Sequence, residues 1–154
     1  MKIISMEITL EKNPDLEEIQ KFLEKVDADV IPPLSSQHDL NVYAAKIAGF
    51  AECLILKKDD EIGALSAFYC NDAENKAAFI TLLAVERSLR NQGIAKKLAA
   101  ETIQHAKSKG MEKIVFETHE KNQATINLFS KFGFKILKTE NDGAVFMGLS
   151  MTEI

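Results

Sequence analysis

Leu83-Ala84-Val85-Glu86-Arg87-Ser88-Leu89-Arg90-Asn91-Gln92-Gly93-Ile94-Ala95-Lys96-Lys97 holds the end of a strand, a short polar turn and the start of a helix. Upstream, residues 77 to 85 (Ala-Ala-Phe-Ile-Thr-Leu-Leu-Ala-Val) are almost uninterrupted apolar sequence, as expected of a central strand covered on both faces. Downstream, Ile94, Ala95, Leu98, Ala99, Thr102, Ile103 and Ala106 recur on one helical face from about 93 to 108, and Lys109-Gly110 supplies a C-terminal signal. The first N–H groups of a helix have no intrahelical partner and sit at the positive end of its dipole, and a glycine there lets an anion approach the backbone. Arg87, Arg90, Lys96 and Lys97 add four positive charges with no acid between 87 and 97. Taken alone, these features also describe a solvated helix end, and neither GxxxxGK(S/T) nor GxGxxG occurs in the chain.

Working outward, mixed β and α elements continue in both directions. Residues 2 to 10 alternate around Ile3, Ile4, Met6, Ile8 and Leu10, which predicts a strand, and Asn13-Pro14 then predicts an N-cap with proline at the first helical position. Leu16, Ile19, Phe22, Leu23 and Val26 carry that helix, with Asp15, Glu17 and Glu18 in its first turn. Residues 27 to 38, with Pro32-Pro33 and Ser35-Ser36, read as irregular. A second helix is expected at 39 to 49. Strands at 51 to 56 and 62 to 70 around Lys57-Lys58-Asp59-Asp60 form a hairpin pattern. After the central helix come a strand at 114 to 118, a helix at 123 to 132 closed by Gly133, and strands at 134 to 139 and 143 to 150 around Asn141-Asp142-Gly143.

Length and composition bound what this chain does. Its 154 residues suit one domain spanning 1 to 154, and 46% hydrophobic with 27% charged residues is ordinary globular composition. A net charge of -4 gives no global positive field for nucleic acid or anionic lipid, so any anion site is local. The N-terminal residues lack the apolar run of a signal peptide and no stretch of transmembrane length occurs, so the expected compartment is the cytoplasm, without membrane partners. Cys53 and Cys70 form no CxxC pair and are expected to be reduced core thiols. The three histidines, 38, 105 and 119, show no ligand spacing, so no metal is expected.

The segment Arg90-Asn91-Gln92-Gly93-Ile94-Ala95 resembles the acetyl-CoA signature of the GNAT superfamily of N-acetyltransferases, Gln/Arg-x-x-Gly-x-Gly/Ala at a strand-to-helix turn. A second family element, an Asn after the next strand followed by a short helix and Gly-Phe, is matched by Asn122, Ala124, Ile126, Leu128, Lys131, Gly133 and Phe134. The resemblance covers about residues 60 to 140. It implies an α/β (α+β) GNAT fold, a mixed central sheet of six or seven strands with helices on both faces, and acetyl-CoA as cosubstrate. The amides of the turn Asn91, Gln92, Gly93, Ile94, Ala95 and Lys96 would hold the pyrophosphate, with Arg90 opening the signature. In this family the central strand splays from its neighbour at a bulge, so the backbone of Leu83, Ala84 and Val85 would pair with the pantetheine arm. Asn122 would contact that arm or cap the short helix.

One position departs from the family pattern. Where a tyrosine usually protonates the departing CoA thiolate, this chain has Phe129. Ser130 is adjacent but points about 100° away around the helix. A general base for the attacking amine must lie within reach of it, and Glu117 and His119, on one face of the strand at 114 to 119, are the candidates. His38 and Tyr43 fall where the family commonly forms the acceptor pocket. Thr81 reads as a satisfied core hydroxyl in an apolar strand. The expected reaction is direct acetyl transfer, in a ternary complex, to the amine of a small molecule or peptide by a monomer or homodimer. The alternative that Phe129 raises is a catalytically silent acyl-CoA-binding module.

Overall fold

The central apolar run forms β4 (Ala77–Val85), the middle strand of a seven-stranded sheet in the order β1-β2-β3-β4-β5-β7-β6. The computed structural model describes residues 4–152. β1 (Ile4–Lys12), β2 (Glu52–Lys58), β3 (Glu61–Asp72) and β4 run as an antiparallel meander. β4 then pairs in parallel with β5 (Lys113–His119), which lies antiparallel to β7 (Ala144–Ser150), itself paired with the edge strand β6 (Lys135–Thr139). The β2–β3 hairpin turns through Asp59 and Asp60, whose φ values of 52° and 65° are those of a two-residue turn that matches strand twist.

Helices cover both faces, as the family resemblance implies. α1 (Leu16–Val26) and α3 (Leu40–Phe50) bury Ile19, Phe22, Leu23, Tyr43, Ala44 and Ile47 against one face. α4 (Ile94–Ser108) and α5 (Gln123–Lys131) close the other with Ile94, Leu98, Ala99 and Phe129. The large hydrophobic surfaces removed from water on both faces are the main source of stability.

Three local expectations need correction. The cap of α1 is Asp15, whose carboxylate accepts the Glu17 N–H at 3.0 Å, so the helix begins after Pro14 rather than on it, and Leu16 stays exposed. The segment expected to be irregular contains a 3-10 turn at Asp27–Asp29 and a single helical turn, α2 (Leu34–Gln37). That turn forms because Leu34 finds a buried place and the Pro33 carbonyl accepts from the Ser36 N–H and hydroxyl. β4 is not covered along its whole length, since Phe79 is 41% exposed. The N-terminal strand expectation for residues 2 and 3 lies outside the described residues.

Two irregularities at β4 position everything that follows. The β4–β5 ladder runs only from Ala77↔Lys113 to Ile80↔Phe116, after which the strands part. On the other side, Ala67 faces Leu82 and Phe68 faces Ile80, so Thr81 is an extra residue, a β-bulge.

Candidate active site

Beyond Ile80, the edge of β4 that would pair with β5 has no strand partner, and alternate N–H and C=O groups along 82 to 85 point into the gap. This gap opens into a cavity of about 760 Å³ whose walls include Leu83, Ala84, Val85, Arg90 and Ala95 on one side and Glu117, His119, Asn122 and Phe129 on the other. His38 and Tyr43 also line it. The volume suits a drug-sized or cofactor-sized ligand.

At the mouth stands the glycine-led turn. Gly93 caps α4 with φ 78° and ψ 10°, a left-handed conformation that an L-residue adopts only with strain, and no side chain caps the helix. A Cβ built on Gly93 would meet nothing within 4 Å, so the space over the first amides of α4 is open. Asn91 is also left-handed, with φ 65°. Successive amides turned to one side make an anion cradle.

The charge around this turn differs from the sequence count. Asp29, in the 3-10 turn after α1, bonds Arg87 Nη2 at 2.8 Å and Arg90 Nη2 at 3.0 Å, and its carboxyl is held below the usual range first by the Arg87 hydrogen bond. Arg90 Nε also donates to the Val85 carbonyl at 3.1 Å. Arg90 thus ties the end of β4 to the loop after α1, and Lys96 stands in the first turn of α4 beside its opening amides. No local signal reveals Asp29, because it lies about sixty residues upstream of its partners.

Glu86 continues the same clamp. Its carboxylate bonds Lys25 at 2.9 Å, Lys58 at 3.1 Å and the Ser88 hydroxyl, joining α1, β2 and the start of the turn. Burial alone would raise its pKa, but the Ser88, Lys25 and Lys58 contacts outweigh burial and bring it from 4.5 down to about 2. Because the folded value lies below the unfolded one, the ionised group stabilises the native state above about pH 4.5, and this contribution is lost as pH falls toward 2. Glu86→Gln is therefore expected to lower stability at pH 7 by on the order of 3 kcal/mol, with the difference from the native chain vanishing in acid. Urea unfolding at several pH values checks this; a pH-independent difference would contradict it.

The candidate catalytic residues divide. Glu117 is an exposed carboxylate on the cavity wall, facing His38 closely enough to raise the imidazole pKa, while burial first and Lys46 next push it down, for a net lowering. The His38 ring stacks on Tyr43 with centroids 4.1 Å apart. His119 lines the cavity, but both its ring nitrogens are engaged. Nδ1 accepts the Lys121 N–H at 3.1 Å, which places the proton on Nε2, and Nε2 donates to the Asp142 carbonyl at 3.1 Å. No lone pair is left for a substrate proton, and the ring packs over Gly143, where a Cβ would overlap it. His119 as a general base is thus corrected to a side chain that closes the β5–β7 junction.

The other assignments also sharpen. Asn122 precedes α5 but its side chain does not cap the helix; Nδ2 donates to Thr118 Oγ1 at 3.2 Å and to the Ile31 carbonyl at 3.4 Å, drawing the loop after α1 toward β5. Tyr43 lines the cavity, yet its hydroxyl is bonded to Thr81 rather than offered to an acceptor. Phe129 packs between Phe116 and Phe134, with centroids 4.3 and 5.1 Å away, and brings no hydroxyl to the wall. Cys53 and Cys70 are free thiols, both pushed up to about 12 by burial, too high for a nucleophile. Among the described residues, no group of three or more His, Cys, Asp or Glu is placed to hold a metal ion.

A mixed sheet opened between two parallel central strands, with a glycine-led helix at its mouth, is the architecture that the resemblance to acetyl-CoA-dependent transferases implies. Residues 16–134 match the acetyltransferase (GNAT) family, and the chain belongs to that family. It is 26% identical over 146 residues to N-alpha-acetyltransferase 30 of Saccharomyces cerevisiae, covering 90% of this chain and 79% of that protein. It is also 31% identical over 77 residues to the chloroplastic GCN5-related N-acetyltransferase 6 of Arabidopsis thaliana, where the match covers 48% of this chain and only 27% of the relative. In fold it resembles the yncA protein of Salmonella typhimurium, solved with its cofactor acetyl-CoA, at a TM-score of 0.68 and 16% identity over 94% of both chains.

Proposed function

We propose that the protein transfers the acetyl group of acetyl-CoA to a primary amine by direct attack in a ternary complex, and that the amine is the α-amine of a peptide. The observation that carries this is the unpaired edge of β4 from Leu82 to Val85, running from the cavity toward the Gly93 turn. The groups present fit the cofactor: the amides of Asn91 to Lys96 with the Lys96 ammonium for the pyrophosphate, and the free backbone of Leu83, Ala84 and Val85 for the pantetheine arm. Acetyl-CoA, when bound, supplies the activated thioester. The N–H groups of the β4 edge are the donors available to the acyl oxygen as it gains charge.

On the acceptor side, Glu117 is the base, reaching the ammonium proton directly or through one water. His38, stacked on Tyr43, binds the amine beside it. The peptide α-amine is supported by the name of the yeast relative, whose match covers most of both chains. Two free thiols, Cys53 buried and Cys70 half-buried, support the cytoplasm as the compartment.

The test is release of CoA thiol from acetyl-CoA in the presence of peptides with free α-amines, lysine side-chain amines, amino sugars and polyamines. Turnover is expected with the peptides, and Glu117→Gln is expected to lower kcat by on the order of 10²-fold with little change in acetyl-CoA KM. Turnover confined to another amine class would replace the acceptor and leave the chemistry standing. Phe129 supports one other reading, a silent acyl-CoA-binding module, which binding without turnover on any amine would favour.

A further inference from the structure

The opening between β4 and β5 depends on one residue that neither ladder pairs. Thr81 has no opposite residue on β3, and the β5 ladder ends one position before it. A backbone carbonyl left without a partner in a partly buried position costs about 1–3 kcal/mol, so the bulge needs a donor from elsewhere. Tyr43, on α3 and 5% exposed, supplies it. Its phenol oxygen lies 2.9 Å from the Thr81 carbonyl oxygen and 2.8 Å from Thr81 Oγ1. A carbonyl only accepts and a phenol has one proton, so the Tyr43 hydroxyl donates to the carbonyl and the Thr81 hydroxyl donates back to the phenol oxygen. Burial pushes the Tyr43 hydroxyl up to about 12, which keeps that proton in place.

We propose that Tyr43 is a positioning residue for the acyl donor: by gripping both polar groups of Thr81 it holds the bulge that turns Leu82–Val85 away from β5 and keeps their edge free for the pantetheine arm. This rests on the acetyl-CoA reading given above. The leverage comes from strand periodicity. If the bulge were absorbed into the ladder, the pairing would slip by one residue, and every side chain and amide from 82 to 85 would exchange sides. Tyr43 acts from the helical layer opposite α4, so the acetyl-CoA edge is set by a residue that makes no bond to the glycine turn.

Tyr43→Phe removes the clamp while keeping the ring that stacks on His38. Three measurements on the whole chain decide the matter: calorimetric titration with acetyl-CoA, backbone amide spectra of the ligand-free protein, and the melting temperature. The expected result is an approximately tenfold loss of acetyl-CoA affinity at a temperature where the variant remains folded. Amide shifts are expected over Thr81–Val85 and not over Val145–Leu149 in β7. Thr81→Ser, which keeps the hydroxyl, is expected to bind as the native chain does, and Thr81→Val to lose part of the affinity. A Tyr43→Phe variant with a lower melting temperature but unchanged acetyl-CoA affinity and unmoved 81–85 amides would overturn the proposal and leave Tyr43 a packing residue. A native chain that fails to bind acetyl-CoA would instead overturn the functional reading, and the amide spectra would then decide the clamp by themselves.

Discussion

Replacing Gly93 by Glu is expected to lower acetyl-CoA affinity by on the order of 100-fold or more, since hydrogen bonds to charged groups contribute about 1.5–3 kcal/mol each and several would be displaced at once. The substitution puts a carboxylate over the open amides of α4, where the pyrophosphate would sit. The fold is expected to survive. A Cβ at this position touches nothing within 4 Å, so the native state bears only the cost of a left-handed L-residue at φ 78°, about 1–2 kcal/mol. Gly93→Ala carries the same backbone strain without the charge and separates the two effects. Titration calorimetry on both variants, with melting temperatures alongside, measures them. Equal losses for Ala and Glu would assign the effect to the backbone, and unchanged affinity in Gly93→Glu would remove the pyrophosphate from this turn.

Phe129→Tyr is expected to raise kcat at least tenfold, toward the 10²- to 10⁴-fold typical of a positioned acid. A thiol pKa of about 8.5 makes CoA a tolerable leaving group without assistance, so the native chain is expected to turn over, but slowly. Phe129 is 2% exposed yet forms part of the cavity wall, so the added oxygen has two destinations. Directed into the cavity, it reaches the side where the thioester sulfur would lie. Directed toward Phe116 and Phe134, it is buried without a partner and destabilises the fold by about 1–3 kcal/mol. Steady-state kcat measured with the melting temperature distinguishes these. A native rate that is already high and falls in the variant, with stability unchanged, would show that another group is the acid.

What could be read from the residues follows from how local the cause is. The glycine-led turn into α4 was legible because a strand end, a glycine and a helix start are adjacent in sequence, and α4 because its apolar face repeats with the helical period. The charge of the turn was not, because Asp29 offsets one of the two charges of Arg87 and Arg90 from across a fold that brings distant residues together. The same holds for Tyr43, whose aromatic ring in a helix looks the same whether its hydroxyl meets a substrate or a bulge. His119 was misread for a related reason. Strand alternation correctly put it on the face of Glu117, but tautomer and availability are set by Lys121 and Asp142, and Asp142 lies on the far side of α5 and β6. Thr81 was the exception: a lone hydroxyl in an apolar strand pointed to a satisfied polar group before its partner was known.

The most direct measurement of the central claim, that acetyl-CoA lies along the free edge of β4 and on the Gly93 turn, is amide hydrogen exchange with and without acetyl-CoA. Slower exchange is expected in two separated stretches, 82 to 85 and 91 to 96, with β6, β7 and the β2–β3 hairpin unchanged. Protection that spares both stretches, or no protection at saturating acetyl-CoA, would contradict the account.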